Sequence, residues 1–194
     1  MKPGFSRGFA IALLAATLSA PALADQGEPQ RVDRALEGWM VGNFKLVDQH
    51  GHAFTKEHLK DRWTFVLLGD TRCMEPCLAA LSALAGMRQR ISRTEVVKLT
   101  RVLFVSLDPQ RDSKEKLRRY LAPFDPDFIG ASGSRETLAR LVEDLSPPGS
   151  PPNTGGSLGS LWLIGPDCNV RGEFLPPYDV LQLTARFLKT RIGR

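Results

Sequence analysis

The most informative part of this chain is Trp63-Thr-Phe-Val-Leu-Leu-Gly-Asp-Thr-Arg-Cys-Met-Glu-Pro-Cys77. Phe65 to Leu68 is a continuous apolar run, which predicts a buried strand. A glycine and an aspartate then indicate a turn, and from Leu78 onward the apolar residues recur at close to helical spacing. The sequence therefore predicts a strand, a corner that carries two cysteines, and a helix behind them.

Two cysteines at a strand-to-helix corner are suited to redox or metal chemistry. Reactive groups of α/β proteins lie near the carboxyl ends of strands, and the positive end of a helix dipole favours thiolate. Cys73 and Cys77 can therefore close a disulfide or bind one soft metal ion. Their C-x-x-x-C spacing is one residue wider than the C-x-x-C of thioredoxin-like oxidoreductases, and it suits Cu(I), which prefers sulfur ligands. A structural disulfide, or two unrelated buried thiols, is the alternative.

Residues 1–24 have the pattern of a secretory signal. Lys2 and Arg7 form a charged start, Phe9 to Leu18 is apolar, and Ala22-Leu-Ala24 supplies small residues before a cleavage site. The apolar run is shorter than the about 20 residues that a membrane span needs, so cleavage is expected and an uncleaved anchor is the alternative. Export predicts an oxidising location such as a bacterial periplasm, with tethering to the inner membrane if the signal is retained.

The predicted mature chain begins at Asp25, with a flexible leader over 25–38 and one domain over 39–194. About 170 residues remain after cleavage, which is enough for one domain with its own core. Removing the two basic residues of the signal lowers the formal charge from +5 to +3. The basic residues are scattered, the cluster Lys114 to Arg119 is typical of a solvated helix face, and aromatic interleaving is missing, so we expect no nucleic-acid partner.

Short apolar runs alternate with helical patterns along the mature chain. This alternation predicts an α/β fold with helices on both faces of the sheet. The segment 146–159 holds four prolines and four glycines and predicts a loop. The predicted elements are a hairpin over Phe44–Phe54, a short helix over Thr55–Leu59, strands at Val102–Leu107, Phe128–Gly130, Leu161–Ile164 and Val170–Phe174, a helix that starts at Ser113, and helices over Glu136–Leu145 and Asp179–Leu188.

Five of these segments, in order, resemble the Sco/SenC family of thioredoxin-like copper chaperones for cytochrome c oxidase assembly. They are Leu46–Thr55, Gly69–Cys77, Phe104–Asp112, Phe128–Gly133 and Leu163–Asp167. The resemblance implies a thioredoxin-like fold with a central mixed sheet, helices on both faces and an N-terminal β-hairpin. It also implies Cys73 and Cys77 as copper ligands. The implied partner is a cytochrome c oxidase subunit or another exported thiol or copper client, and we expect a monomer.

One feature departs from the family pattern. The family completes its copper site with a histidine a few residues before the aromatic residue of the late strand, and this interval counted back from Trp162 reaches Ser157. No histidine follows His58 in the sequence. Cu(I) tolerates few, soft ligands, whereas Cu(II) prefers tetragonal nitrogen and oxygen ligands. We therefore expect the cysteine pair to favour Cu(I) over Cu(II).

Other side chains are candidate ligands or thiols. His50 and His52 form an H-x-H pair, which we interpret as solvated turn residues, with a metal role as the alternative. His58 is interpreted as a surface residue. Met74 is a conceivable thioether ligand, although a surface role is favoured. Cys168 is left over as a free or intermolecular thiol, with a resolving role for the cysteine pair as the alternative.

Two functions use the same cysteine pair. In the preferred one, the protein binds copper through Cys73 and Cys77 and delivers it to cytochrome c oxidase. In the alternative, the pair reduces disulfides of client proteins, a reaction that needs no histidine. A degenerate structural module is a third interpretation. A peroxidase is disfavoured, because Thr71 and Arg72 alone are weak support for a peroxidatic cysteine.

Overall fold

The structure, a computed structural model, describes Met1 and residues 38–149 and 158–192. The signal predicted over 1–24 and nearly all of the leader predicted over 25–38 lie outside these residues, and so does Ser157. Those predictions therefore stay predictions. Residues described from Gly38 onward belong to one compact unit, and none of the helices described is long and apolar enough to cross a membrane.

Seven strands of the described chain form one mixed sheet, in the order β2-β1-β5-β4-β3-β6-β7. Strands β3, β4 and β5 run parallel, while β6 is antiparallel to β3 and β1 is antiparallel to β5. The hairpin of β1 and β2 forms one edge, which confirms the predicted fold class. The strands are β1 Lys45–Asp48, β2 Ala53–Thr55, β3 Trp63–Gly69, β4 Thr100–Ser106, β5 Ile129–Ser132, β6 Leu161–Ile164 and β7 Val170–Phe174.

Helices cover both faces of this sheet. In the residues described, the α-helices are α1 Cys77–Ile91, α2 Lys114–Leu121, α3 Arg135–Leu145 and α4 Val180–Ile192, with single 3-10 turns at Lys56–Leu59 and Val97–Leu99. Apolar residues of α1, α2 and α4 pack in one core, and those of α3 pack in the other. The prediction of helices on both faces is therefore confirmed.

Strand β3 lies between the two cores, and all seven of its residues are buried. Successive side chains of a strand point to opposite faces. Trp63, Phe65 and Leu67 accordingly join the core of α1, α2 and α4, while Val66 and Leu68 join the core of α3. A strand buried on both faces needs a continuous apolar run, which is the pattern that the sequence shows here.

Several element ends differ from the predicted ones. Strand β4 begins at Thr100, before the apolar run that predicts it, and β5 covers Ile129–Ser132 rather than Phe128–Gly130. The later end of β5 depends on pairing with β1, where Ser132 lies opposite Val47. Such partners are distant in sequence, so local patterns give no sign of them. The predicted start of α2 is confirmed, because the Ser113 hydroxyl accepts the Lys116 backbone N–H at 3.3 Å.

Candidate functional site

Cys73 and Cys77 are joined in a disulfide at the carboxyl end of β3. Their Cα atoms lie 5.7 Å apart, and Cys77 is the first residue of α1. Cys73 keeps 7% of its surface exposed, whereas Cys77 is fully buried. The predicted pairing, with Cys168 left as a free thiol, is the one that the structure shows. We call residues 70–77 the cysteine loop.

Gly69 lets the backbone of β3 pass close to the buried sulfur. A Cβ atom at this position would lie 3.0 Å from Cys77 Sγ and 2.7 Å from a ring carbon of Phe104. A side chain here would therefore displace the sulfur or the ring. The glycine, which the sequence presents only as a turn residue, thus also makes room for Cys77.

A buried carboxylate holds the start of the cysteine loop. Asp112, 6% exposed, accepts hydrogen bonds from the Thr71 backbone N–H at 2.9 Å and from the Thr71 hydroxyl at 2.6 Å. It also accepts the Ser106 hydroxyl at the end of β4, at 2.6 Å. Hydrogen bonds to an ionised acceptor are stronger than neutral ones. Asp112 therefore ties the loop after β3 to the end of the neighbouring parallel strand.

Tyr120 of α2 fixes the middle of the cysteine loop. Its hydroxyl donates to the Cys73 carbonyl oxygen at 2.7 Å. Burial, together with the nearby negative charges of Asp70 and Asp112, raises the pKa of Tyr120 to about 12. The phenol therefore stays protonated and remains a donor through the neutral pH range.

Arg72 forms ion pairs beside the disulfide. Its guanidinium lies 3.3 Å from carboxylate oxygens of both Asp70 and Asp108. The Asp70 carboxylate also accepts the Arg72 backbone N–H, and its backbone carbonyl accepts the Cys73 N–H at 3.0 Å. Thr71 and Arg72, the pair considered for a peroxidase, are thus engaged with carboxylates that shape the loop.

The segment before β6 packs against the other side of the cysteine loop. The Gly159 N–H donates to the Leu68 carbonyl at 2.8 Å, and the Tyr178 hydroxyl donates to the Gly159 carbonyl. Gly159 has a φ of +92°, and a Cβ atom there would overlap with the ring of Pro76. The last residue of the proline- and glycine-rich segment is therefore held beside the cysteine loop.

The histidines lie away from the disulfide. His50 and His52 follow β1, which runs antiparallel to β5, so they lie at the end of the sheet where β5 begins. The His58 backbone carbonyl accepts Arg101, near the start of β4, at that same end. All three side chains are exposed, in agreement with the surface interpretation. Met74, by contrast, lies in the cysteine loop itself and is 65% exposed.

Cys168 lies in the turn between β6 and β7. Because Ile164, the last residue of β6, pairs with Thr64 near the start of β3, this turn is about 20 Å from the cysteine loop along the strand. Cys168 is 2% exposed and its Sγ lies 3.9 Å from the Lys56 carbonyl; burial raises the pKa of its thiol. A resolving role for Cys168 is therefore wrong for this fold, and its burial also opposes an intermolecular disulfide.

The described part of the chain holds no cluster of three or more His, Cys, Asp or Glu residues that could bind a metal ion. The candidate ligands after β3 are the sulfurs of Cys73 and Cys77, which form a disulfide here and would provide two thiolates after reduction. Two thiolates suit a soft monovalent ion better than Cu(II) or Zn²⁺, which take more ligands.

The SCO1/SenC family model matches residues 32–147, well over half of the chain, including both cysteines. The chain belongs to the SCO1/SenC family. Among relatives, a Stutzerimonas stutzeri protein named for copper binding is 32% identical over 143 residues, which cover 71% of this chain and 70% of that protein. An SCO2-like protein of Rickettsia felis is 30% identical over 102 residues, covering 53% of this chain and 49% of its own length. This SCO1/SenC chain thus spans about half the length of the Rickettsia relative.

Solved SCO1/SenC structures share the fold. The copper-bound structure of ScoI from Arabidopsis thaliana superposes with a TM-score of 0.68 at 24% identity, covering 80% of this chain and all of that one. The likeness confirms the thioredoxin-like architecture that the sequence predicts.

Asp112, Tyr120 and Gly159 support the site, and sequence reasoning gave them no role in it. The sequence does contain a hint of the role of Asp112. This residue follows the carboxyl end of the strand predicted at Val102–Leu107, and polar groups at the carboxyl ends of strands often form the site of an α/β protein. Tyr120 looked like one of several apolar residues on a helix, and Gly159 like one of many loop glycines. Their roles depend on contacts between distant segments.

Proposed function

We propose that this SCO1/SenC protein is an exported copper carrier that binds Cu(I) through reduced Cys73 and Cys77 and delivers it to a cytochrome c oxidase subunit. The observation that carries the proposal is the cysteine pair at the carboxyl end of β3 in a chain of this family. The copper-binding name of the Stutzerimonas relative and the copper in the Arabidopsis structure support it.

Loading requires the reduced pair. Two electrons and two protons convert the Cys73–Cys77 disulfide into two thiols, and Cu(I) then replaces the two thiol protons. Cu(I) is stable with few, soft ligands, so two thiolates suffice. Cu(II) would need further nitrogen or oxygen ligands, and the three histidines of the chain lie away from the pair. The proposed cargo is therefore Cu(I).

The test is a Cu(I) titration of the reduced mature protein in competition with a chromophoric chelator. We expect one Cu(I) per chain, and a loss of affinity of about 100-fold or more in Cys73→Ser and Cys77→Ser. Cys168→Ser is the matched control, because that thiol lies in the turn between β6 and β7, and it should keep the affinity. Binding that survives loss of either loop cysteine would overturn the proposal.

A thiol–disulfide oxidoreductase is the second candidate. The specific observation in its favour is the unequal burial of the two cysteines, since Cys73 keeps 7% of its surface exposed and Cys77 keeps none. Exchange begins on an accessible thiolate and ends when a second cysteine resolves the mixed disulfide. Reduction of insulin disulfides by the copper-free reduced protein, combined with no Cu(I) binding, would make this the better account.

Export is part of the proposal and has its own test. The mass of the protein recovered from the native host should correspond to a chain that begins at Asp25, because Ala22-Leu-Ala24 matches a cleavage site. The same fractionation reports the compartment, which we propose to be the periplasm. An intact N-terminus in a protein released only by detergent would support the anchored alternative.

A further inference from the structure

A groove of about 660 Å³ opens beside the cysteine loop. Asp70 and Arg72, three residues and one residue before Cys73, form one end. The segment Leu107–Arg111 after β4 forms one wall, and α3 forms the other. We call it the arginine groove; its lining residues are Asp70, Arg72, Leu107–Arg111, Arg135, Leu138, Ala139 and Val142.

The arginine groove has a small apolar patch among charged and polar side chains, which make up six of its eleven lining residues. Leu107 and Val142 are only partly buried, and Ala139 is exposed, so apolar surface is accessible to a partner. None of these three side chains carries a hydrogen-bonding group that would hold a polar ligand. This patch is therefore suited to one apolar side chain of a partner, and the charged residues around it can select the charge that lies beside that side chain.

The rim carries three arginines and two aspartates. Arg72 is shared between Asp70 and Asp108, and Arg111 lies 3.5 Å from Asp108. Arg135, the first residue of α3, is exposed and forms no ion pair with the residues that the structure describes. One guanidinium at the rim is thus left for a carboxylate supplied from outside, and an arginine can bind a carboxylate through two parallel hydrogen bonds.

We propose that the arginine groove docks an acidic segment of the client protein, with an apolar side chain against Leu107 and Val142 and a carboxylate on Arg135. The proposal rests on the proposed function, because it makes the groove the place where a client is held while its sulfurs reach Cys73. One arginine that forms no ion pair among the described residues, with only the exposed Glu136 beside it in sequence, suits one acidic peptide segment. Nucleic acid or an anionic membrane needs a larger basic surface.

The test compares two aryl disulfides as oxidants of the reduced protein. Dithiobis-nitrobenzoate carries a carboxylate on each apolar ring, and dithiodipyridine is uncharged. In both reactions one protein thiolate attacks the aryl disulfide and releases an aryl thiolate. The second protein thiolate then attacks the mixed disulfide, closing Cys73–Cys77 and releasing the other aryl thiolate. The aryl disulfide gains the two electrons that the dithiol loses.

Arg135→Glu should lower the rate of oxidation by dithiobis-nitrobenzoate about three- to tenfold. The rate of oxidation by dithiodipyridine should stay within about twofold of that of the unmodified protein. Arg140→Glu, with the same charge change on an exposed residue of the same helix, is the control and should alter neither rate by more than about twofold. The acetylated amide Glu-Leu-Glu should inhibit the nitrobenzoate reaction of the unmodified protein, and its Lys-Leu-Lys counterpart should not.

Equal slowing by Arg135→Glu and Arg140→Glu would overturn the proposal, because it would indicate the field of the whole protein rather than a groove. Unchanged rates in Arg135→Glu, or equal inhibition by both peptides, would also overturn it. The Cu(I) titration of the unmodified protein is independent of these rates. A failed copper carrier and a failed docking groove therefore give different results.

Discussion

At the scale of the residue, Gly159 shows how closely the late segment approaches the cysteines. Its positive φ and the ring of Pro76 each oppose a side chain. Gly149 has a positive φ of +80° as well, but no atom lies within 4 Å of its Cβ position. Substitution of Gly149 therefore introduces backbone strain alone, whereas substitution of Gly159 introduces backbone strain and a close contact.

We predict that Gly159→Ala destabilises the protein more than Gly149→Ala does. Backbone strain should cost about 1–2 kcal/mol in both, and overlap with Pro76 should add about 1–3 kcal/mol in Gly159→Ala alone. Urea unfolding of the oxidised proteins measures both values. Equal losses of unfolding free energy would mean that the cysteine loop yields easily to the added methyl group.

The two tyrosines lead to a prediction on alkaline pH. Burial raises the pKa of Tyr120 to about 12 and raises that of Tyr178 still more strongly. The ordinary value is 10.0, so stability from the protonated Tyr120 is complete below that pH and is lost as the pH rises towards about 12. Ultraviolet titration should show no tyrosinate near the ordinary pKa while the protein stays folded.

Tyr120→Phe is the variant that isolates this effect. It removes the hydrogen bond to the Cys73 carbonyl and should cost about 1 kcal/mol at neutral pH. Its unfolding free energy should also fall less steeply than that of the unmodified protein above the ordinary tyrosine pKa. If the unfolding free energy of the variant falls with pH as steeply as that of the unmodified protein, Tyr120 is not the cause of the loss of stability at alkaline pH.

At the scale of the element, Asp112 joins β4 to the segment after β3. Its carboxylate accepts three hydrogen bonds, two from Thr71 and one from Ser106. We predict that Asp112→Asn lowers the unfolding free energy by about 2–3 kcal/mol, because the amide has one acceptor oxygen and its NH₂ group faces donors. Denaturant unfolding measures the loss.

Asp127→Asn is the matched control for Asp112→Asn. Asp127 accepts a hydrogen bond from Arg88, but its side chain is 74% exposed, and Arg88 also pairs with Asp125. Because the Asp127 carboxylate is exposed and Arg88 keeps Asp125 as a partner, the loss should be about 1 kcal/mol or less. Comparable losses in the two variants would contradict the assignment of Asp112 as the residue that anchors the cysteine loop.

At the scale of the whole molecule, the chain before β6 reaches the cysteine loop at Gly159. Ser157 precedes Gly159 by two residues in the sequence, lies outside the described residues, and is the position at which the family resemblance implies a histidine. We predict that Ser157→His strengthens Cu(II) binding by about 100-fold or more and produces a thiolate-to-copper charge-transfer band, because Cu(II) gains an imidazole ligand. Absorption spectra of the reduced protein with added Cu(II) measure both effects.

Ser150→His, in the same proline- and glycine-rich segment, is the control for the Ser157 variant and should produce no such band. Tight Cu(II) binding by the unmodified protein would contradict the expected preference for Cu(I). Attention would then turn to Met74, His50 and His52 as ligands, and Met74 would come first because it lies in the cysteine loop.

Much of the fold and the centre of the site could be predicted from the sequence. The continuous apolar run before Gly69 predicts a strand that is buried on both faces. The spacing of Cys73 and Cys77 allows a disulfide within one turn. The hairpin and the strand at Leu161–Ile164 are also predicted from the sequence, because their residue patterns are local. The boundaries of β5 are not, because they depend on pairing with β1.

The cysteine corner and the fold class follow from local patterns of residue types, and the lack of a late histidine is visible in the sequence directly. Contacts in the folded chain bring Asp112, Tyr120 and Gly159 around the cysteine loop and keep Cys168 and the histidines away from it. Their neighbours come from segments tens of residues away. Such contacts depend on strand order and direction, which the hydropathy of one segment does not encode.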